Sequence, residues 1–239
     1  REIERCLLDG DVDVAVHSLK DLPAEMRPGL ALAAVPLRED PRDVLICPAG
    51  HSLDDLPHGA CVATGALRRR VQLLKLRPDL KLVGIRGNLD TRLRKVRELP
   101  GLDATLVGAA GLSRMGWLDR ATEFLPPERF IPAGGQGALG IQIRDDDTTT
   151  RGLVGSLTHH ETERATAAER AFLARLEAGC QVPVAVHARF EGSTLAVDGL
   201  VSSMDATEVI QDTITGDPAN AEQLGNQLAE LILADGGKD

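Results

Sequence analysis

The sequence predicts an α/β protein that ends in a small α+β portion, and three observations carry that expectation. In the first half, short apolar runs alternate with helical stretches, the pattern of helices layered on a largely parallel sheet. From Val182 the texture changes to three strand-like runs followed by one amphipathic helix. The 239 residues are 43% apolar and 26% charged, a composition that can bury a sizeable core and is unlike a disordered chain.

Asp11–Val16, Val44–Cys47, Ala60–Ala63, Leu80–Ile85 and Ala104–Val107 read as buried strands. Each is rich in Val, Leu, Ile or Ala and is bounded by Gly, Pro or Asp. Helices are expected at Ala66–Leu76 and Asn88–Glu98, stopped by Pro78 and Pro100, whose rings cannot continue a helix. Leu139–Ile143 reads as one more strand, and the acidic, threonine-rich Asp145–Thr150 as a connection. Glu161–Glu177 reads as a strong helix: Ala165, Ala168, Leu173 and Leu176 share a face, and Gly179 supplies a stop. Val184–Phe190, Thr194–Ser202 and Glu208–Ile214 read as antiparallel strands. Pro218–Leu233 closes the chain as a helix with Leu224, Leu228, Leu231 and Ile232 apolar.

Composition narrows the function. A net charge of −9 disfavours a general nucleic-acid binder, and 2% aromatic residues disfavour stacking on bases. No apolar run approaches the roughly 20 residues that span a bilayer. The four cysteines, Cys6, Cys47, Cys61 and Cys180, form no C-x-x-C pair, so a disulfide scaffold and a zinc site are both disfavoured and a reducing, cytoplasmic setting is expected. The opening Arg1-Glu2-Ile3 reads as the start of a fragment.

Cations concentrate between Thr64 and Arg97, where Arg68, Arg69, Arg70, Arg86, Arg92 and Lys95 face only Asp79 and Asp90 as acids. Solvated helix faces account for some of them. Arg68 and Arg69, however, follow a strand-to-helix junction, and Arg86 ends the next strand, where open α/β sheets bind ligands. Guanidinium forks match carboxylates and phosphates. Gly134-Gly135-Gln136-Gly137 lacks the Lys-Ser/Thr of a phosphate loop, so carboxylates are the better match. His17, Ser18, Lys20 and Asp21 follow a strand directly. Asp21 is either a helix cap or a carboxylate that stabilises a developing cation or carries a proton. His159-His160-Glu161 is read as a helix start rather than a metal site. Cys180 sits in a loop beside Gly179, whereas Cys6, Cys47 and Cys61 lie in or beside apolar runs and read as buried.

Seven segments together resemble the porphobilinogen deaminases (hydroxymethylbilane synthases). They are VHSLKDLP (16–23), LREDPRDVL (37–45), LRRRVQL (67–73), IRGNLDTRL (85–93), AAGLSRMG (109–116), PAGGQGALGI (132–141) and HHETERATAAERAFLARLEAGCQVPVAVHA (159–188). They follow the family's order and cover most of the chain. The resemblance implies two lobes like those of periplasmic binding proteins, the first one incomplete, and a small α+β C-terminal domain. The expected bounds are 1–36 with 138–155, then 37–137, then 156–239. It further implies a transferase of tetrapyrrole and heme biosynthesis, acting as a cytoplasmic monomer with no membrane or nucleic-acid partner. That enzyme condenses four porphobilinogen molecules head to tail, with loss of ammonia, on a covalently attached dipyrromethane cofactor.

By the same resemblance Cys180 carries the cofactor through a thioether and Asp21 is catalytic. Ser18, Lys20, Thr64, Arg68, Arg69, Arg86 and Gln136 bind the cofactor, while Arg86, Arg92 and Arg114 bind substrate, and no metal is expected. The family has a glycine and two serines where this chain has Ala63, Gly65 and Ala66, so two hydroxyl donors are missing. As a fragment without the start of its first lobe, the chain is expected to be inactive or weakly active. Two rival readings are a non-catalytic two-lobed carboxylate-binding module and a cysteine acyl transferase with His187 as base.

Overall fold

The computed structural model describes residues 2–177 and 183–236. Strands β1 (Ala15–Ser18), β2 (Leu30–Ala34) and β8 (Leu139–Arg144) form one sheet in the order β1-β8-β2, with helices α1 (Glu2–Leu8) and α5 (Thr148–Gly155) against it. A five-stranded sheet follows, in the order β5-β4-β6-β3-β7. Its strands are β3 (Asp43–Ile46), β4 (Cys61–Ala63), β5 (Lys81–Val83), β6 (Ala104–Gly108) and β7 (Glu123–Leu125). A third sheet, β11-β10-β9, is an antiparallel meander of β9 (Val184–Glu191), β10 (Thr194–Ser202) and β11 (Val209–Gly216).

The five-stranded sheet is covered on both faces because its strands alternate apolar side chains between them. Leu45 and Leu106 point to one face, where they join Leu53, Leu73 and Phe130 beneath α2 (Leu67–Leu76). Val44, Ile46 and Val107 point to the other, where Leu93 and Val96 of α3 (Leu89–Glu98) and Leu112 of α4 (Ala109–Arg114) meet them. Asn88 caps α3 by accepting from the Thr91 N–H at 2.9 Å. In the C-terminal part, α6 (His160–Glu177) and α7 (Ala221–Ala234) pack on the meander around Phe172, Val197 and Leu228. The two helices cross so closely that a Cβ on Gly225 would stand 2.1 Å from the Ala168 carbonyl.

Several expectations change. The five-stranded sheet is mixed rather than largely parallel: β4 pairs in parallel with β5 and β6, and the other described pairings, those of both three-stranded sheets included, are antiparallel. The strand expected at Asp11–Val16 lies at Ala15–Ser18, because Asp11 and Asp13 favour the turn that precedes it. Asp145–Thr150 is only partly a connection, since Asp147 accepts from the Thr150 N–H and starts α5. Among the cysteines read as buried, Cys47 is buried, but Cys6 and Cys61 are half-exposed. Among the described residues, no helix is long and apolar enough to cross a membrane.

Candidate active site

The site begins where β1 ends. A turn of 3-10 helix, Leu19–Asp21, is fixed by Leu19, which is 1% exposed against Val35 and Ala138 and whose N–H donates to the Ala138 carbonyl at 3.0 Å. With Leu19 turned inward, Ser18, Lys20 and Asp21 line a cleft of about 340 Å³. Gly135, Gln136 and Gly137 line it beside them, packed against the same turn. A Cβ on Gly135 (φ +74°) would meet the Lys20 backbone at 3.0 Å, and one on Gly137 (φ +89°) would meet the Glu39 carbonyl at 2.4 Å. Arg69, Arg92 and Arg114 complete the cationic lining. Arg92 Nε donates to the Gly87 carbonyl and Arg114 Nη2 to the Gly137 carbonyl, each at 2.9 Å.

Asp43 organises the rear of the cleft and was not singled out by the sequence reading. It opens β3, is 0% exposed, and accepts from Arg68 Nη1 at 2.6 Å and from Arg69 Nη2 at 2.7 Å. Burial alone would raise its carboxyl pKa. The Arg68 and Arg69 guanidinium groups outweigh that and hold it far below the usual carboxylate range. Gln136 Nε2 donates to the same carboxylate at 3.0 Å and to the Pro41 carbonyl at 2.7 Å, which fixes the orientation of its amide. Gln136 Oε1 is then a buried acceptor with no partner among the described residues.

Burial and the Arg69 guanidinium both lower the Lys20 pKa. Asp21 and Asp43 oppose them, and the side chain itself still reaches solvent at the cleft mouth. Asp21 is exposed, and among the described residues its carboxylate has no hydrogen-bond or ion-pair partner.

The structure brings Ser18, Lys20, Asp21, Arg69, Arg92, Arg114 and Gln136 together around one cleft. Thr64 and Arg86 line an adjoining cleft of about 990 Å³ that shares Arg92 and Gly87 with the first. Arg68 lines neither cleft: its guanidinium donates to Asp43 and to the Ile131 carbonyl, the latter at 2.7 Å. Cys180 lies outside the described residues. His187 is buried in β9 with Nδ1 3.4 Å from Glu169 Oε1, which leaves the acyl-transferase reading without an accessible base. His159 Nδ1 pairs with Thr162 Oγ1 at 2.9 Å at the start of α6.

A second unforeseen group ties the elements together. Arg38 grips Glu169 of α6 with two guanidinium nitrogens at 2.7 and 3.2 Å and donates from Nε to the Gln136 carbonyl at 2.8 Å. Glu169 also accepts from the Gly135 and Ala188 N–H groups at 2.6 and 2.8 Å. Burial would raise the Glu169 pKa. The Arg38 charge and the His187 contact reverse that and lower it from 4.5 to about 2. Both ends are long-range in sequence, so no local pattern announces them. The twin arginines 68 and 69 were the available signal for a buried carboxylate such as Asp43.

These residues fit a pyrrole cofactor rich in carboxylates. The cations answer its carboxylates, and the orphan Gln136 Oε1 matches an N–H donor. Comparison with known proteins agrees. The family description "Porphobilinogen deaminase, dipyromethane cofactor binding domain" matches residues 1–152, and "Porphobilinogen deaminase, C-terminal domain" matches residues 163–234. The curated porphobilinogen deaminase of Geobacter metallireducens is 49% identical over 239 residues, covering 100% of this chain and 74% of its own. That of Syntrophus aciditrophicus is 49% identical over 238 residues, covering 100% of this chain and 78% of its own. Likeness to solved structures is weaker: the Bordetella pertussis BvgS VFT2 domain gives a TM-score of 0.41 at 15% identity over 65% of each chain. With its cleft, its cofactor-binding chemistry and nearly half of its residues shared along its whole length, the chain belongs to the porphobilinogen deaminase family.

Proposed function

We propose that this chain joins four porphobilinogen molecules head to tail with loss of ammonia and releases hydroxymethylbilane by hydrolysis. One observation carries the reading: Asp21, a carboxylate with no hydrogen-bond or ion-pair partner among the described residues, lies in a cleft whose other charged lining residues are Lys20, Arg69, Arg92 and Arg114. A receptor built only to bind anions gains nothing from a negative charge at that point, which repels the anion.

A cofactor joined to Cys180 would supply the free pyrrole carbon for the first unit, later units joining the end of the growing chain. Lys20, Arg69 and Arg86 would hold its carboxylates, Ser18 and Thr64 would add hydroxyls, and Gln136 Oε1 would accept an N–H. Arg86, Arg92 and Arg114 orient the acetate and propionate of the incoming porphobilinogen. Asp21 keeps the departing amine protonated and stabilises the positive charge that develops on the substrate pyrrole as ammonia leaves. Arg68 holds Asp43, and Asp43 holds Arg69 and Gln136 at the cleft.

The domains in this reading are 1–36 with 138–155, then 37–137, then 156–239. In support, each interval contains the strands of one sheet. The chain is further read as a cytoplasmic monomer without nucleic-acid or membrane partners, and the net charge of −9 favours the absence of a nucleic acid. Intact mass with peptide mapping tests the reading. The expected result is the added mass of two linked pyrrole units on the peptide containing Cys180, staining with Ehrlich's reagent. A chain that stays bare after exposure to porphobilinogen, both alone and when extended to the full length of the curated relatives, returns the assignment to a carboxylate-binding module.

A further inference from the structure

His187 is a buried imidazole that takes no part in the chemistry proposed for the cleft. It is 5% exposed, and its Nδ1 is sealed from solvent with no hydrogen-bond partner among the described residues. Two carboxylates flank it. Asp198 stands opposite on β10, but its oxygens are taken by Thr213 Oγ1 at 2.7 Å and by the Arg189 guanidinium. The other is Glu169 of α6, whose Oε1 lies 3.4 Å from His187 Nδ1.

The position of the imidazole proton follows from that neighbour. A neutral histidine carries its proton on one ring nitrogen and leaves a lone pair on the other. A bare Nδ1 would turn the lone pair toward a carboxylate oxygen, two acceptors facing each other where burial screens them least. With the proton on Nδ1 the same geometry aims a donor at an acceptor, and closure by a few tenths of an ångström completes the bond.

What Glu169 holds gives that donor its reach. Its Oε2 accepts from the Gly135 N–H at 2.6 Å, and its Oε1 from the N–H of Ala188, the residue after His187, at 2.8 Å. The loop 134–137 is pressed against the same two elements. A Cβ on Gly134 would stand 2.8 Å from Leu173 of α6 and 2.9 Å from Val186 of β9. Gln136 follows Gly135 and carries the orphan acceptor Oε1 at the cleft. Arg38 grips the Glu169 carboxylate from the crossover, and His187 faces it from β9. A swing of that carboxylate is passed to Gly135 and from there to Gln136.

We propose that His187 is a positioning residue: its Nδ1–H fixes the Glu169 carboxylate and, through Gly135, sets Gln136 Oε1 for a pyrrole N–H. The part that concerns the pyrrole rests on the function proposed above, and the hold on the loop does not.

Three measurements on the full chain test this. Nitrogen-15 NMR of the wild type is expected to show a proton on His187 Nδ1. An Nε2–H tautomer with a bare Nδ1 overturns the proposal before any residue is changed. Hydrogen exchange at the Gly135 amide, taken relative to core amides of β10, is expected to quicken about tenfold in His187→Leu, which fills the space without a donor. Asparagine places an amide N–H where Nδ1 lies, so His187→Asn is expected to restore most of the protection. Unchanged exchange in His187→Leu, or equal exchange in the Leu and Asn variants, overturns the role of the donor. Intact-mass spectra after porphobilinogen are expected to show slower gain of pyrrole mass in His187→Leu and near-normal gain in His187→Asn. Equal gain in all three forms overturns the setting of Gln136. A wild type with the expected tautomer and exchange that never gains pyrrole mass overturns the proposed function, while the hold of His187 on the loop stands.

Discussion

Asp21 and Asp43 are both carboxylates among arginines, and their surroundings give them opposite work. Asp21 is exposed and has no hydrogen-bond or ion-pair partner among the described residues, so Asp21→Asn is expected to lower kcat by at least about 100-fold with little change in KM, as steady-state assays would show. Asp43 is sealed between two guanidinium groups, so Asp43→Asn leaves buried charge uncompensated. Urea denaturation is expected to report a loss of about 3–5 kcal/mol. The sequence made the arginines and Asp21 legible because they flank strand ends. It did not separate Asp43 from its neighbours Glu39 and Asp40. All three sit in one charged run, yet Glu39 is exposed, Asp40 half-buried and Asp43 fully buried, a distinction set by the register of β3 between β6 and β7.

At the scale of elements, α6 carries the most consequence. The Glu169 pKa is depressed from 4.5 to about 2, so above pH 4.5 the carboxylate is ionised in both folded and unfolded chains and its stabilisation is fully present. As pH falls from 4.5 toward 2 the unfolded chain takes up the proton first, and stability drops by on the order of 3 kcal/mol. Acid titration of the unfolding free energy is expected to show this slope in wild type and a flatter one in Glu169→Gln, which starts from lower stability. The α6–α7 crossing makes a second prediction. Gly225→Ala forces a methyl onto the Ala168 carbonyl and is expected to cost about 1–3 kcal/mol in thermal unfolding.

Long periodic elements such as α2, α3, α6 and the C-terminal strands were legible. β2 was not, because its Ala-rich Leu30–Ala34 lacks the β-branched side chains that mark strands. β7 was not either, being three residues long with a glutamate in first place.

For the whole molecule, a net charge of −9 surrounds a cleft lined by cations, so attraction of an anionic substrate is local and screened by salt. The screening length is about 10 Å at 0.1 M, and rising ionic strength is expected to increase KM for porphobilinogen while kcat changes little. The mixed sheet escaped the sequence because apolar runs reveal strands but not their direction. β3 turns antiparallel to β6 through long-range pairing alone. Where the three sheets meet, the Glu169 carboxylate receives donors from residues 38, 135 and 188, which belong to three separate stretches of chain. A shared acceptor of this kind acts as a keystone. The crossover segments at Arg38 and Gly135 are thereby both tied to α6. A single substitution at Glu169 therefore unties both crossovers and β9 from α6 at once, so its cost falls on all three sheets together.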